Sequence, residues 1–136
     1  MNLNERYLLD TNICVYLFRG KYNIDEFIAA VGTENCFISE ITLAELVYGA
    51  EHSKNPKSNI DVITRFTKNI SIIPIIRAIS IYGKEKARLR KMGKLIGDFD
   101  LLIGSTAIAH NMIMVTQNVN EFERLKNIEL ENWITQ

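Results

Sequence analysis

The sequence predicts an α/β fold, a mainly parallel sheet of roughly five strands sandwiched by helices. Three observations carry that expectation. Short apolar runs of strand length alternate with stretches whose apolar residues recur at helical spacing. The strand candidates are apolar along their whole length, as strands covered on both faces are. No hairpin signal joins one candidate to the next.

The first strand is Tyr7-Leu8-Leu9, which ends abruptly at Asp10. Thr11 and Asn12 both favour helix caps, and Ile13 to Phe18 continues as a helix. Asn23 or Asp25 starts a second helix through Val31, stopped by Gly32, and Cys36-Phe37-Ile38 is the second strand. Ser39 is the N-cap of a helix from Glu40 to about Ala50, with Leu43, Leu46, Val47 and Ala50 as its apolar stripe. Ser53 to Ser58 reads as a polar loop containing Pro56. Asn59 to Asn69 reads as a helix with Ile60, Ile63, Phe66 and Thr67 on one side.

Ile70 to Ile73 is the third strand, ended by Pro74. A long helix follows from about Arg77 to Met92, with Ala78, Tyr82, Leu89 and Met92 on its buried grid and Gly93 as its stop. Asp98 or Phe99 begins a helix that is apolar on nearly every side from Leu101 to His110, the pattern of a helix buried on more than one face. Met112 to Val115 is the fourth strand, with Thr116 at its carboxyl end. A helical turn through Asn120-Glu121-Phe122 precedes an edge strand within Ile128 to Trp133.

No repeat, low-complexity segment or linker divides the chain, so residues 1–136 are expected to form one domain. Lys plus Arg and Asp plus Glu are 16 each, so a nucleic-acid partner must be drawn by a local patch and not by net charge. Glu5 and Asp10 leave no long apolar core for a signal peptide. The most apolar run, Ile70 to Tyr82, is interrupted by Pro74 and Arg77 and is too short to span a bilayer, so no membrane role is expected. Cys14 and Cys36 have neither disulfide-framework nor metal-type spacing, and read as two small core residues of a cytoplasmic protein.

Three carboxylates stand where burial is expensive. Asp10 ends an apolar strand, Glu45 lies inside Leu43-Ala44-Glu45-Leu46-Val47, and Asp100 is followed at once by Leu101-Leu102-Ile103. Buried charges must be paired or hold a metal. Oxygen donors without clustered His or Cys point to Mg²⁺ or Mn²⁺ rather than zinc. Such an ion polarises a phosphoryl oxygen and lowers the pKa of a bound water. Asn12, Thr116 and Asn118 supply neutral oxygen or amide groups to orient water or phosphate.

Each acid also has a plainer reading. Asp10 caps the helix at Thr11, and Thr42-Leu43-Ala44-Glu45 matches a capping box. Asp98 is placed as the N-cap of the buried helix, and Asp100 sits in a first turn where the helix dipole favours negative charge. Glu121 and Glu123 are by default solvated helix charges. His52 and His110 stand alone and take no catalytic role.

Four segments in register resemble the PIN-domain ribonucleases, and among them the VapC toxins of bacterial toxin–antitoxin pairs. These are Leu8 to Asn12, Ser39 to Leu46, Ile96 to Ile103, and Val115 to Asn118 with Glu121-Phe122. The resemblance covers essentially the whole chain. It implies a three-layer α/β/α sandwich and Mg²⁺-dependent cleavage of RNA, with structured RNA such as transfer RNA as substrate. The family's first acid falls on Asp10, its second on Glu45 and its third on Asp100, while Asp98 is an extra acid. Many relatives' fourth acid falls at Asn118, an amide here, where Glu121 is a substitute. Thr116 matches a hydroxyl position beside the metal.

The resemblance further implies a homodimer, silenced by a VapB-like antitoxin whose C-terminal segment wraps the toxin. DNA is then bound only indirectly, through the antitoxin. A second reading from another class is a PIN-like module without catalysis that serves as antitoxin partner and promoter regulator, which Asn118 favours. A third, with Asp10 as phosphoryl-accepting nucleophile, lacks the second carboxylate that chemistry wants beside it. For RNA contact, Lys84, Arg88 and Lys91 share one helical face, and Lys86, Arg90 and Lys94 another. The alternative is a solvated basic face that keeps the protein soluble.

Overall fold

The computed structural model describes residues 4–134, so the first three and last two positions of the expected domain lie outside the described residues. Five short strands form one sheet: β1 (Tyr7–Leu9), β2 (Cys36–Ser39), β3 (Ser71–Ile73), β4 (Ile113–Val115) and β5 (Glu129–Glu131). The order is β3-β2-β1-β4-β5 and every neighbouring pair is parallel. Leu8 pairs with Phe37 on one side and with Met114 on the other, so β1 is central.

Seven α-helices connect and cover the strands: α1 (Thr11–Phe18), α2 (Ile24–Val31), α3 (Glu40–Glu51), α4 (Pro56–Phe66), α5 (Ile79–Lys91), α6 (Asp98–Ala109) and α7 (Val119–Phe122). Side chains alternate across the sheet, as the strand period of two requires. Tyr7 and Leu9 of β1, Cys36 and Ile38 of β2, and Ile113 and Val115 of β4 face one core, with Ile13, Ile28, Leu46 and Ile63 from α1–α4. Leu8 and Met114 face the other core, with Leu89, Leu101, Ile103 and Phe122 from α5–α7. The result is the expected α/β/α sandwich.

The helix ends show which signals held. Ser39 Oγ accepts the Ile41 amide at 3.0 Å, capping α3 as expected. Gly93 ends α5 with φ +67°, and Lys94 N reaches back to Leu89 O at 2.9 Å, so the left-handed residue that glycine tolerates closes the helix. Both cysteines are free and buried, and burial pushes the Cys36 thiol up to about 12, so neither is a ready nucleophile.

Several expectations need correction. Pro56 is not in a loop but opens α4 at the first helical position, where its missing N–H costs nothing. Residues Ile76–Ala78 form a 3-10 turn, so α5 starts at Ile79. Met92 is 51% exposed, because α5 has run past the edge of the core by that point. Val47 is likewise exposed, and the buried grid of α3 runs through Thr42, Leu46 and Ala50. Gly97, not Asp98, occupies the N-cap of α6.

Candidate active site

In a parallel sheet, ligands bind beyond the carboxyl ends of strands where the connections diverge. Here the chain leaves β1 toward β2 and β3, then crosses back to lay β4 on the other side of β1. The crevice between the ends of β1 and β4 is therefore the expected site. Asp10 follows β1 and Thr116 follows β4, and both are buried.

Asp10 joins the two readings its position allowed. Its Oδ1 accepts the Thr11 amide at 2.8 Å and so caps α1, while its Oδ2 accepts the Thr116 hydroxyl at 2.8 Å. Its own amide extends the strand ladder to Val115 O at 2.9 Å. Burial pushes the Asp10 carboxyl above its ordinary range; the hydrogen bonds from Thr116 and Thr11 oppose that, and Glu45 and Glu121 add to it. Thr116 Oγ1 in turn accepts the Asn118 amide at 3.0 Å, which fixes the loop leading to α7.

Glu45 comes from the second turn of α3, and its Oε1 accepts the Thr11 hydroxyl at 2.7 Å. The capping-box reading of Thr42 and Glu45 therefore fails: this carboxylate points away from its own helix start, toward α1. Thr42 is buried, with its hydroxyl 3.1 Å from that of Thr11. Asp100 comes from the first turn of α6. Its carboxyl is pushed up to about 6, first by burial and then by the charges of Asp10, Glu121 and Glu45. Glu121 thus belongs to the same electrostatic cluster.

Asp10, Glu45, Asp100 and Asn118 line one open cleft of about 350 Å³, with Thr11 and Asn12 beside them. The three acids separated widely in the chain are brought together. Asp98 is not: its Oδ1 takes Lys86 Nζ at 2.8 Å and the Tyr82 hydroxyl at 2.9 Å on the surface, and the Lys86 ammonium holds its carboxyl below the usual range.

The donors fit a hard divalent cation. Among the described residues no three His, Cys, Asp or Glu side chains are grouped so as to hold a metal ion between them. An open arrangement of one or two carboxylates, with water in the remaining positions, is what Mg²⁺ prefers. The carboxyls of Asp10 and Asp100 are destabilised as anions by shared burial and mutual repulsion, which a dication relieves. Asn12 Oδ1 is buried with no hydrogen-bond partner, an oxygen ready to hold a water or an ion.

The basic helix is differently disposed from the expectation. None of Lys84, Lys86, Arg88, Arg90, Lys91 and Lys94 lines the carboxylate cleft. Lys86 is taken by Asp98. Arg88 binds Glu85 through Nε at 2.7 Å and Nη2 at 2.8 Å, and also reaches Arg124 O at 2.6 Å. Lys84, Arg90, Lys91 and Lys94 remain exposed. The cation that does line the cleft is Arg19, at the end of α1. A helix that starts beside Asp10 carries residues 12, 16 and 19 along one side, and that spacing was the available signal.

The PIN domain family pattern matches residues 7–128. The chain belongs to the PIN-domain family. Ribonuclease VapC2 of Rickettsia felis is 42% identical over 132 residues, covering 93% of this chain and 97% of that relative. The tRNA(fMet)-specific endonuclease VapC of Shigella flexneri is 35% identical over 130 residues, covering 94% and 98%. Among solved structures, DNA-bound VapBC from Salmonella typhimurium superposes with a TM-score of 0.87 at 32% identity, over 95% of this chain and 98% of that one. VapBC2 from Rickettsia felis, bound to a DNA fragment from their promoter, gives a TM-score of 0.82 at 41% identity over 93% and 98%. Both structures superpose over nearly the whole of this chain.

Proposed function

We propose that this PIN-domain protein is a metal-dependent endoribonuclease acting as the toxin of a toxin–antitoxin pair, with Mg²⁺ as its cofactor and transfer RNA as its substrate class. The observation that carries the reading is the meeting of Asp10 and Asp100 at one crevice, with both carboxyls driven upward by shared burial and charge. The relatives are named ribonucleases or tRNA(fMet)-specific endonucleases.

In this reading Asp10 and Asp100 would hold the ion, which when bound would polarise a phosphoryl oxygen and lower the pKa of water. Thr116 keeps Asp10 in one rotamer by occupying Oδ2 on one side. Thr11 occupies Glu45 Oε1, so Oε2 is the oxygen left to complete the shell, directly or through water. Asn12 and Asn118 orient water and phosphate. Glu121 adds negative charge in place of the acid that Asn118 lacks. With the acids this close together, no single one is assigned as the base.

The partner is an antitoxin related to those of the VapBC structures. An apolar groove of about 320 Å³ between α1, α3 and α4, lined by Val15, Phe18, Leu46 and Ile63, is the surface for its apolar segment. Exposed Ile76 in the 3-10 turn and Ile79 at the start of α5 supply apolar area for a homodimer. Promoter DNA is bound through the antitoxin.

The test is to incubate the purified protein with initiator transfer RNA in Mg²⁺ or in EDTA, beside Asp10→Asn and Asp100→Asn. The reading requires cleavage by the parent in Mg²⁺ alone. Full cleavage by either variant, or undiminished cleavage in EDTA, overturns it.

A further inference from the structure

We propose that the side of α1 carrying Asn12, Tyr16 and Arg19 is the track along which the RNA strand docks, with Arg19 as its phosphate anchor; this rests on the nuclease reading above. All three residues line the carboxylate cleft. Helical geometry spreads them from the carboxylates outward, with Arg19 seven residues beyond Asn12. At 1.5 Å per residue that is roughly 10 Å along the axis, or roughly three stacked nucleotides at about 3.4 Å each.

Arg19 is the right group in the right state. Its guanidinium is exposed beside an acidic cleft, yet among the described residues it makes no ion pair and no side-chain hydrogen bond. An arginine needed to hold the acids in place would be bonded to one. Lys86 and Arg88 are each bound by a carboxylate of their own chain, whereas the Arg19 fork is open to a phosphate from outside. Arg19 also borders the neighbouring apolar groove, so it stands where a strand leaving the acids must pass.

Tyr16 supplies a fixed aromatic wall between the acids and the anchor. Its hydroxyl donates to Gln117 Oε1 at 2.8 Å, and its ring meets Tyr22 edge-on, with centroids 4.9 Å apart at 84°. That bond ties α1 to the loop after β4 and holds the ring at the cleft. A ring so held is a platform for one base, independent of sequence.

The experiment measures steady-state cleavage of initiator transfer RNA in Mg²⁺ over a series of salt concentrations, for the parent, Arg19→Ala, Arg19→Lys and Asp10→Asn. Arg19→Ala is expected to raise KM about tenfold with kcat nearly unchanged. The slope of log KM against log salt should become shallower by about 0.7, the loss of one phosphate contact on a single strand. Arg19→Lys should recover the slope and part of the KM, since it keeps charge but not the fork. Tyr16→Leu should raise KM and leave the salt slope unchanged. Should Arg19→Ala melt early, Arg19→Gln gives the same readout with the side-chain length kept. Unchanged KM and slope in the neutral Arg19 variants, or a loss confined to kcat, overturns the anchor while leaving the nuclease reading standing. A parent as inactive as Asp10→Asn overturns both.

Discussion

The Thr116 hydroxyl donates to Asp10 Oδ2 at 2.8 Å, joining residues 106 positions apart at the centre of the sheet. The bond spans the crevice where the two halves of the sheet diverge, and it opposes the burial that raises the Asp10 carboxyl. Thr116→Val removes it at nearly constant volume, strands the buried Asp10 Oδ2 and releases the Asn118 amide. Stability should fall by about 1–3 kcal/mol, read by urea unfolding. Cleavage of initiator transfer RNA should fall by about 10–100-fold, and Thr116→Ser should restore most of both. A valine variant as active as the parent would show that Asp10 holds its rotamer without help.

Much of this site was legible because its acids break apolar runs. Asp10 after Tyr7-Leu8-Leu9 and Asp100 before Leu101-Leu102-Ile103 announce themselves as charges that need a partner. Glu45 was legible as an acid but not in its role. Its partner is Thr11, 34 residues away, and the local match to a capping box was the stronger signal in sequence. Arg19 was missed for the opposite reason: an exposed arginine at a helix end breaks no pattern, and only its helical spacing from Asn12 and Tyr16 pointed to it. The partners of Lys86 and Arg88 were not legible in the basic run on α5, because they are decided by packing between α5, α6 and the C-terminal segment. The fold was legible for a different reason. Strands covered on both faces are apolar throughout, and five such runs separated by helical patterns leave few arrangements.

Asp98 and Asp100 are two residues apart, and only the second lines the cleft. Asp100→Asn should reduce cleavage by on the order of a hundredfold or more, the scale of losing a charged ligand at the reacting phosphate. Asp98→Asn disturbs only exposed contacts with Lys86 and Tyr82 and should retain most of the activity. Parallel kinetics on the two variants check this. The reverse ranking would move the third acid to Asp98.

Metal binding should be pH-dependent around the value of Asp100. Its folded carboxyl is raised from 3.8 to about 6, so between those values the folded state binds more protons than the unfolded state. Without metal, the contribution of Asp100 therefore falls as pH rises from about 4 to about 6. Mg²⁺ requires the ionised form, so its stabilisation grows over the same interval. Thermal unfolding with EDTA and with Mg²⁺, at pH 5 and pH 7.5, should show the larger metal-induced rise in Tm at the higher pH. Asp100→Asn should flatten both trends. A metal effect of equal size at both values would mean that the ion is held elsewhere.

Arg88 is a structural tie in this fold. Glu85 is buried, binds Arg88 through both carboxylate oxygens, and accepts the Lys126 amide at 2.7 Å. Arg88 completes the link by donating to Arg124 O at 2.6 Å, so α5 is pinned to the segment between α7 and β5. The Arg88 guanidinium holds the Glu85 carboxyl below the usual range, so the stability it supplies is present at neutral pH and is lost as pH falls through that lowered value. Arg88→Ala should lower Tm by several degrees, because it leaves the buried Glu85 carboxylate without its cation, and Glu85→Gln should lower it less, by losing the ion pair. Both should cleave transfer RNA below their Tm with the parental KM and salt slope. A shallower salt slope in Arg88→Ala alone would return this residue to the RNA-binding surface, since removing Glu85 breaks the same tie without removing a positive charge.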